Sequence, residues 1–170
     1  MKVIGINKDI FEDKEYLSCV SDLLELEDIQ KLDQYSQHMN TSRLAHSINV
    51  SYYTYKLCKK LKMDYRSGAR AGILHDFCLY DFKTTKVRGG HIKGHPKVAL
   101  ANAKKLIKLN KVEKDAIVKH MWPLTLSFPR YKESYVLTVM DKYCTVLEVR
   151  KQTSKRIGKK FVPRISQHRG

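Results

Sequence analysis

Residues 71–80 read AGILHDFCLY, a stretch that places a histidine and an aspartate side by side, at His75 and Asp76, after a run of small and apolar residues. Such a run is typical of the buried face of a helix. The pair alone is weak evidence for a site, because a single buried histidine is usually satisfied by a neighbouring carbonyl or carboxylate. Its meaning depends on whether helices bring other residues of metal-ligand type to the same point.

The chain has 170 residues, of which 42% are hydrophobic, and this is enough to bury one core without disulfides or a structural metal. The first residues contain no apolar run of the length that a signal peptide needs, and no segment approaches ~18 uninterrupted apolar residues. We therefore expect one globular domain in the cytoplasm, without a membrane span. The cysteines lack zinc-ribbon spacing and are expected to be free thiols in the core; they are Cys19, Cys58, Cys78 and Cys144.

Charge is divided unevenly along the chain. Residues 1–40 hold 4 Lys and Arg and 9 Asp and Glu, a net charge of −5, whereas residues 41–170 hold 29 and 8, a net charge of +21. Such a basic surface attracts anions, whether nucleic acid, nucleotides or acidic membranes, through a field that salt screens. Residues 151–170 carry 7 Lys and Arg and no acid, which fits either a solvated tail or an arm that faces nucleic acid.

The spacing of apolar residues predicts an all-α fold, because they recur mostly at intervals of three and four and few alternating β-branched runs occur. We expect an acidic helical segment over residues 1–39 that packs on the core. Within it, residues 12–38 should form one or two helices. The helical core follows over residues 40–150, and residues 151–170 form a basic C-terminal tail.

Cap-type residues predict where two helices of the core begin. The residues NTS at 40–42 precede a helix on which His46 lies near the first turns. Asn110 and Glu113 form a capping-box pattern at the start of a helix that reaches His120.

A helix is also predicted over residues 65–77, before the one long loop, residues 80–94. We expect His95 and Pro96 to open the next helix, because proline is tolerated at the first helical position and the residue before it is pushed out of the α region.

The last predicted helix covers residues 131–150 and carries a broad apolar surface with Asp141 inside it. A carboxylate in such surroundings needs a cation, a metal ion or a proton, because an unpaired buried charge is costly. The apolar residues of this surface are Val136, Leu137, Val139, Met140, Tyr143, Val146 and Leu147.

Six residues of metal-ligand type thus fall on five separate predicted elements. Their mixture of imidazole and carboxylate groups suits a catalytic transition-metal site with open positions, whereas a closed structural zinc site would favour cysteine. The six are His46, His75, Asp76, His95, His120 and Asp141.

The order His…His-Asp…His…His…Asp resembles the HD superfamily of metal-dependent phosphohydrolases. The segments TSRLAHSINVSYYTYKLCKKL, ARAGILHDF, HPKVALANA, IVKHMWP and VMDKYCTV are similar to small stand-alone bacterial members, and the resemblance covers residues 40–150. It implies a single HD-domain helical bundle.

The resemblance also implies two divalent metal ions per chain, such as iron, manganese or another transition metal. The family core pattern carries over onto His46, His75, Asp76 and Asp141. His95 and His120 match the two intermediate histidines of dinuclear members and would hold the second ion, with Asp76 as the bridge between the two sites.

A mononuclear site is the alternative, in which His95 is a cap before proline and His120 interacts with the dipole at a helix end. One departure bears on this choice. His120 is followed by Met121 and Trp122, whereas some dinuclear branches carry a doubled histidine there, so this chain offers one histidine fewer at that place.

The activity that the resemblance implies is hydrolysis of a phosphate ester or anhydride of an anionic, nucleotide-type substrate by a metal-activated water, with Asp76 as a catalytic residue. Positive side chains beside such a centre would hold phosphate. Arg43 shares a helix face with His46, and Lys142 follows Asp141 directly, so these two are predicted as catalytic residues. Further candidates are Lys83 and Arg130, and Arg88 and His91 in the long loop, although His91 is more simply a solvent-exposed histidine.

Two other classes of function remain open. A nucleic-acid-binding module fits the charge and the tyrosines at 52, 53 and 55, but no zinc-finger or RNA-recognition signature is present. A regulatory HD-fold protein without catalysis is disfavoured by the complete ligand set. No G-x-S-x-G elbow and no phosphate loop of the G-x-x-x-x-G-K type occurs.

Overall fold

The computed structural model describes residues 8–38 and 41–166, with side chains described over 10–37 and 41–150. Apart from one small sheet, its elements are helices, so the all-α prediction is confirmed. The helices are α1 (Lys14–Leu24), α2 (Glu27–Gln30), α3 (Arg43–Lys60), α4 (Tyr65–Leu74), α5 (Gly90–Leu106), α6 (Lys111–Lys119) and α7 (Lys132–Ser166), with 3-10 turns at Lys8–Phe11 and Lys31–Gln34. None of the helices in these ranges is both long enough and apolar enough to cross a membrane.

The central helix is α3. The side chain of Ser42 caps it by accepting from the Ala45 amide at 3.2 Å, as the NTS pattern predicts. Residues 43–52 are all buried, which is typical of a helix enclosed by others. Several of these buried residues are polar, and such groups need partners inside the protein. Helix α3 therefore places polar side chains, His46 among them, in the interior of the protein.

Helix α4 crosses α3 at very short distance. A Cβ atom at Gly72 would lie 2.4 Å from the Cα atom of Ser51, so only glycine fits there. The Ser51 hydroxyl donates to the Ala69 carbonyl at 2.6 Å and accepts from the Tyr16 hydroxyl at 2.9 Å. These bonds join α1, α3 and α4, and they place the end of α4, with its His-Asp pair, against α3.

The N-terminal segment contains two helices, α1 and α2, as predicted for residues 12–38, but residues 31–38 depart from the prediction. Strand β1 (Ser36–His38) follows the 3-10 turn and pairs antiparallel with β2 (Thr41–Ser42). The Arg43 amide also donates to the Tyr35 carbonyl at 2.8 Å. This pairing holds residues 35–38 against the start of α3, an arrangement that depends on contacts across the chain and has no periodic signal.

Helix α5 begins earlier than predicted. It starts at Gly90 and contains Pro96 in its interior, so the prediction that His95 and Pro96 open the helix was wrong. The reason lies in two preceding glycines, Gly89 and Gly90, whose φ angles of +86° and +77° form a turn that other residues rarely adopt. Gly94 then packs against the loop, where an added Cβ would lie 2.7 Å from a Val87 methyl carbon.

Helices α6 and α7 are joined through buried polar contacts. The predicted capping box is confirmed, with Asn110 and Glu113 each bonded to the other's amide at 2.8 Å. Asp115 accepts from the Arg130 amide at 2.8 Å and from the Ser134 hydroxyl at 2.9 Å. These bonds hold the start of α7 against α6.

The predicted apolar surface of α7 is only partly buried. Val136 and Leu137 lie in the core, but the prediction was wrong for four residues whose side chains are exposed: Val139, Tyr143, Val146 and Leu147. The backbone of residues 151–166, the first part of the predicted tail, continues α7. The four cysteines are buried free thiols, as expected.

Candidate metal centre

The six residues predicted as metal ligands lie together in one buried cluster. They form two groups, His46 with His75 and Asp141, and Asp76 with His95 and His120. Within each group the ligand atoms all lie within 4.8 Å of one another. The structure therefore brings together side chains that five elements contribute, although their role as ligands stays a prediction.

Three of the histidines are oriented by helix carbonyls. His75 and His120 are the C-cap residues of α4 and α6, and their Nδ1 atoms each donate at 2.8 Å to the carbonyls of Gly72 and Ile117. His95 donates from Nδ1 to the His91 carbonyl at 2.6 Å. Because a carbonyl only accepts, these bonds place a proton on each Nδ1 atom and direct each Nε2 atom into the cluster.

The Nε2 atoms of His95 and His120 lie 2.9 Å apart. With both Nδ1 atoms acting as donors, the two Nε2 atoms can lie this close only when a proton or a metal ion sits between or beside them. Two nitrogens that each bind the same ion at about 2.1 Å lie roughly 3.0–3.4 Å apart, depending on the angle between the two bonds. The pair thus fits two ligands of a single metal ion.

Asp76 connects the two groups. Its Oδ1 atom lies 3.2 Å from His95 Nε2 and 3.5 Å from His120 Nε2, whereas its Oδ2 atom lies 3.4 Å from His75 Nε2. Asp76 Oδ1 and His75 Nε2 are buried without a hydrogen-bond partner. Such buried unsatisfied atoms are uncommon and call for a ligand, so the donor set fits two ions that share this carboxylate.

His46 lies between two carboxylates. Its Nε2 atom is 3.1 Å from Asp141 Oδ1, and its Nδ1 atom is 3.0 Å from Glu148 Oε2. A carboxylate on the outer nitrogen of a ligand histidine orients the ring and raises its basicity. His75 Nε2 lies 3.7 Å from the same Asp141 oxygen, which completes the first group.

The electrostatics of the cluster favour cations. Burial alone would raise the pKa values of the Asp76 and Asp141 carboxyls, but the neighbouring histidines overcome this and hold both pKa values well below their usual range. At His120, burial lowers the pKa, whereas at His95 the bond to Asp76 outweighs burial and raises it. Two carboxylates therefore stay ionised in a buried site, where metal ions could replace the histidine protons that balance their charge.

A cavity of about 290 Å³ opens onto the cluster, and Asp76, His95, His120 and Asp141 are among the residues that line it. Lys142 lies at its edge, where its Nζ atom donates to the His120 carbonyl at 2.6 Å and to Asp141 Oδ2 at 3.0 Å. This places a partly exposed positive charge beside the centre.

The other predicted basic residues lie elsewhere. The Arg43 side chain is fully buried, and its Nη1 atom donates to the carbonyls of Cys78 and Tyr80. Lys83 and Arg130 are exposed and do not line the cavity, and the same holds for Arg88.

His91 was predicted in the long loop, but it lies in the first turn of α5. It is exposed, as expected, yet it lines the cavity and stacks on His95 with ring centroids 4.4 Å apart.

The sequence prediction missed two residues of the site. Gln37, on β1, lines the cavity and donates from Nε2 to Asp76 Oδ2. Glu148 contacts His46 and follows Asp141 by seven residues, or two helical turns, so the helical period would have placed it on the same face. Gln37 had no comparable signal, because it lies in a segment without periodicity.

A family model described as HD domain matches residues 43–146. No curated protein and no solved structure matches the chain. The matched range contains all six predicted ligand residues, whereas Gln37 and Glu148 lie outside it.

Proposed function

The chain belongs to the HD domain family, and from this membership we propose that it hydrolyses a phosphate ester or anhydride bond of a nucleotide-type substrate with two divalent metal ions. HD domains bind divalent metals and are generally metal-dependent phosphohydrolases. The membership supports the reaction class, and the arrangement of the six side chains supports the residues that we assign to it.

One observation carries the proposal: two groups of buried ligand atoms lie on either side of Asp76, and the histidines around it direct their Nε2 atoms inward. We assign the first ion to His46, His75, Asp76 and Asp141. We assign the second ion to Asp76, His95 and His120. The 2.9 Å separation of the last two Nε2 atoms argues for the second ion, because a cap and a helix-end histidine have no need to face each other.

Divalent ions supply Lewis acidity, and they lower the pKa of water toward about 7. The chain contributes the surroundings for that chemistry. Lys142, held by the His120 carbonyl and Asp141, places positive charge beside the cavity and attracts a phosphate group. A cavity of about 290 Å³ gives access from solvent to Asp76, His95, His120 and Asp141.

The test is metal analysis of the purified chain, followed by a screen of phosphate esters and anhydrides with several divalent metals. We expect bound transition metal and release of phosphate or a nucleoside phosphate from an anionic substrate. Asp76→Asn should abolish hydrolysis, because it removes the charge shared by the two groups. Asp28→Asn, at an exposed surface carboxylate, is the matched control and should keep the wild-type rate. A chain that holds no metal and cannot be reconstituted would refute the proposal.

A further inference from the structure

We infer that Gln37, a residue outside the matched family range, is a positioning residue that orients the Asp76 carboxylate between the two metal groups. The inference rests on the proposed function, since it concerns the same centre. By this inference, the N-terminal segment contributes one side chain that orients a proposed metal ligand.

Both polar atoms of the Gln37 side-chain amide form hydrogen bonds. Its Nε2 atom donates to Asp76 Oδ2, and its Oε1 atom accepts from Arg43 Nε at 3.0 Å. The reverse orientation would set the amide oxygen against a carboxylate and the amide hydrogens against a guanidinium, and both contacts would be repulsive. The two neighbours therefore permit a single orientation of the amide.

Arg43 is itself anchored. Its Nη1 atom donates to the carbonyls of Cys78 and Tyr80, the latter at 2.9 Å. Its Cζ atom lies 3.5 Å from the centroid of the Phe82 ring, a cation–π contact. Because the guanidinium is fully buried among these partners, it is a fixed point from which Gln37 reaches Asp76.

The bond from Gln37 determines how Asp76 presents its oxygens. With Oδ2 held on the His75 side, Oδ1 is left without a hydrogen-bond partner and faces His95 and His120. A carboxylate that is free to rotate would spread both oxygens over many directions. The Gln37 bond therefore prepares Asp76 to serve both groups at once, which lowers the ordering cost of binding two ions.

The position of Gln37 is maintained by secondary structure. It lies in β1, whose neighbours pair with β2 at Ser36 and His38, and the Arg43 amide bonds to the Tyr35 carbonyl at 2.8 Å. The strand pairing and the guanidinium contact thus hold the same side chain from two directions.

The test titrates Mn²⁺ into the metal-stripped full-length chain by calorimetry. Gln37→Met keeps similar bulk but removes both hydrogen bonds, and Gln37→Asn keeps the amide but is one methylene too short to reach both partners. In each variant we expect Mn²⁺ affinity to fall by about 10-fold or more, the usual effect of losing a partner of a ligand. Gln34→Met, at an exposed residue of the same segment, should bind as the wild type does.

Two further measurements separate positioning from stability. Gln37→Met leaves the Arg43 guanidinium and the Asp76 carboxylate each short of one hydrogen bond, so the metal-stripped variant should melt below Gln34→Met but stay folded at the temperature of the titration. The electron paramagnetic resonance spectrum of the Mn²⁺-loaded chain should change in Gln37→Met alone, because the shared carboxylate is displaced. Affinity within twofold of the wild type in both Gln37 variants would overturn this inference and leave the proposed function standing. A wild-type chain that binds neither Mn²⁺ nor any other divalent metal of the screen would overturn both.

Discussion

At the residue scale, His46 is the proposed ligand with the most fully paired side chain. Both of its ring nitrogens face carboxylates, Asp141 and Glu148. Burial would lower the pKa of His46, but these two carboxylates together raise it to about 10. In the metal-stripped chain the ring is therefore protonated at neutral pH. An ion that binds Nε2 must displace that proton, while Nδ1 keeps its bond to Glu148.

This competition predicts opposite pH dependences for the stripped and loaded chains. The pKa of His46 in the folded chain is above its ordinary value of 6.5, so its contribution to stability is complete below about pH 6.5 and is lost as the pH rises toward about 10. Metal binding strengthens over the same interval because protons compete less. Melting temperatures measured from about pH 6.5 to about pH 8.5 should fall for the stripped chain.

Over that interval, the gain in melting temperature on adding Mn²⁺ should grow. A His46→Gln chain is the control, and it should lose the downward slope of the stripped form. A metal-induced gain that shrinks as the pH rises would contradict this account.

At the scale of single residues, sequence reasoning reached those side chains whose order along the chain is diagnostic. His75, Asp76 and Asp141 follow from the order of histidines and aspartates alone. The residues that orient these side chains cannot be identified from that order. Gln37 acts through a strand pairing that no local pattern encodes, and Glu148 would have required the helical period of α7 to be followed two turns past Asp141.

At the scale of elements, the crossing of α3 and α4 leaves no room for an added side-chain atom. Gly72→Ala would place a Cβ atom 2.4 Å from the Cα atom and 2.8 Å from the amide nitrogen of Ser51. The nearest atoms belong to the Ser51 backbone, which cannot move aside as the end of a flexible side chain can. The two helices would therefore have to separate. We expect a loss of about 3 kcal/mol or more in the free energy of unfolding, at or beyond the upper end for overpacked cores, measured by urea denaturation. Metal affinity should fall as well, because His75 moves with α4.

Gly68→Ala, one turn earlier on α4, is the matched control. Its added Cβ would meet the side chains of Thr54 and Cys58 at 3.1 and 3.2 Å, contacts that small shifts relieve. The better helix propensity of alanine offsets part of their cost, by about 1 kcal/mol. Equal losses in the two variants would show that the close crossing is not what limits stability.

The helices themselves were largely predictable, but their boundaries depended on tertiary contacts. The caps at Ser42 and Asn110 act within one turn, so the sequence identifies them. The start of α5 depends on the positive φ angles of Gly89 and Gly90 and on the packing of Gly94 against the loop. A local pattern favoured Pro96 instead, because proline is common at first positions.

For the whole molecule, the charge asymmetry predicts how substrate is captured. Residues 41–170 carry a net charge of +21, and their field attracts anions over distances comparable to the Debye length, about 10 Å at 0.1 M salt. We expect kcat/KM to fall as ionic strength rises, and binding of nucleic acid to weaken more steeply than binding of a mononucleotide. Identical kcat/KM values at low and high salt would show that this field does not contribute to substrate capture.

The class of the fold and the order of the ligands were predictable, whereas the exposure of whole surfaces was not. Apolar residues on α7 such as Val139 and Val146 have the spacing of a buried face but are 53% exposed. Which face of a helix is covered depends on where its neighbours end, and periodicity within one helix carries no such information.

The central claim is that one chain holds two ions, and metal counting tests it most directly. The wild type should contain about two ions per chain, while His95→Ala and His120→Ala should each contain about one, kept by His46, His75, Asp76 and Asp141. His91→Ala, which removes a ring stacked on His95 without removing a proposed ligand, should keep two. A metal count that stays the same in the wild type, His95→Ala and His120→Ala would contradict the two-ion centre.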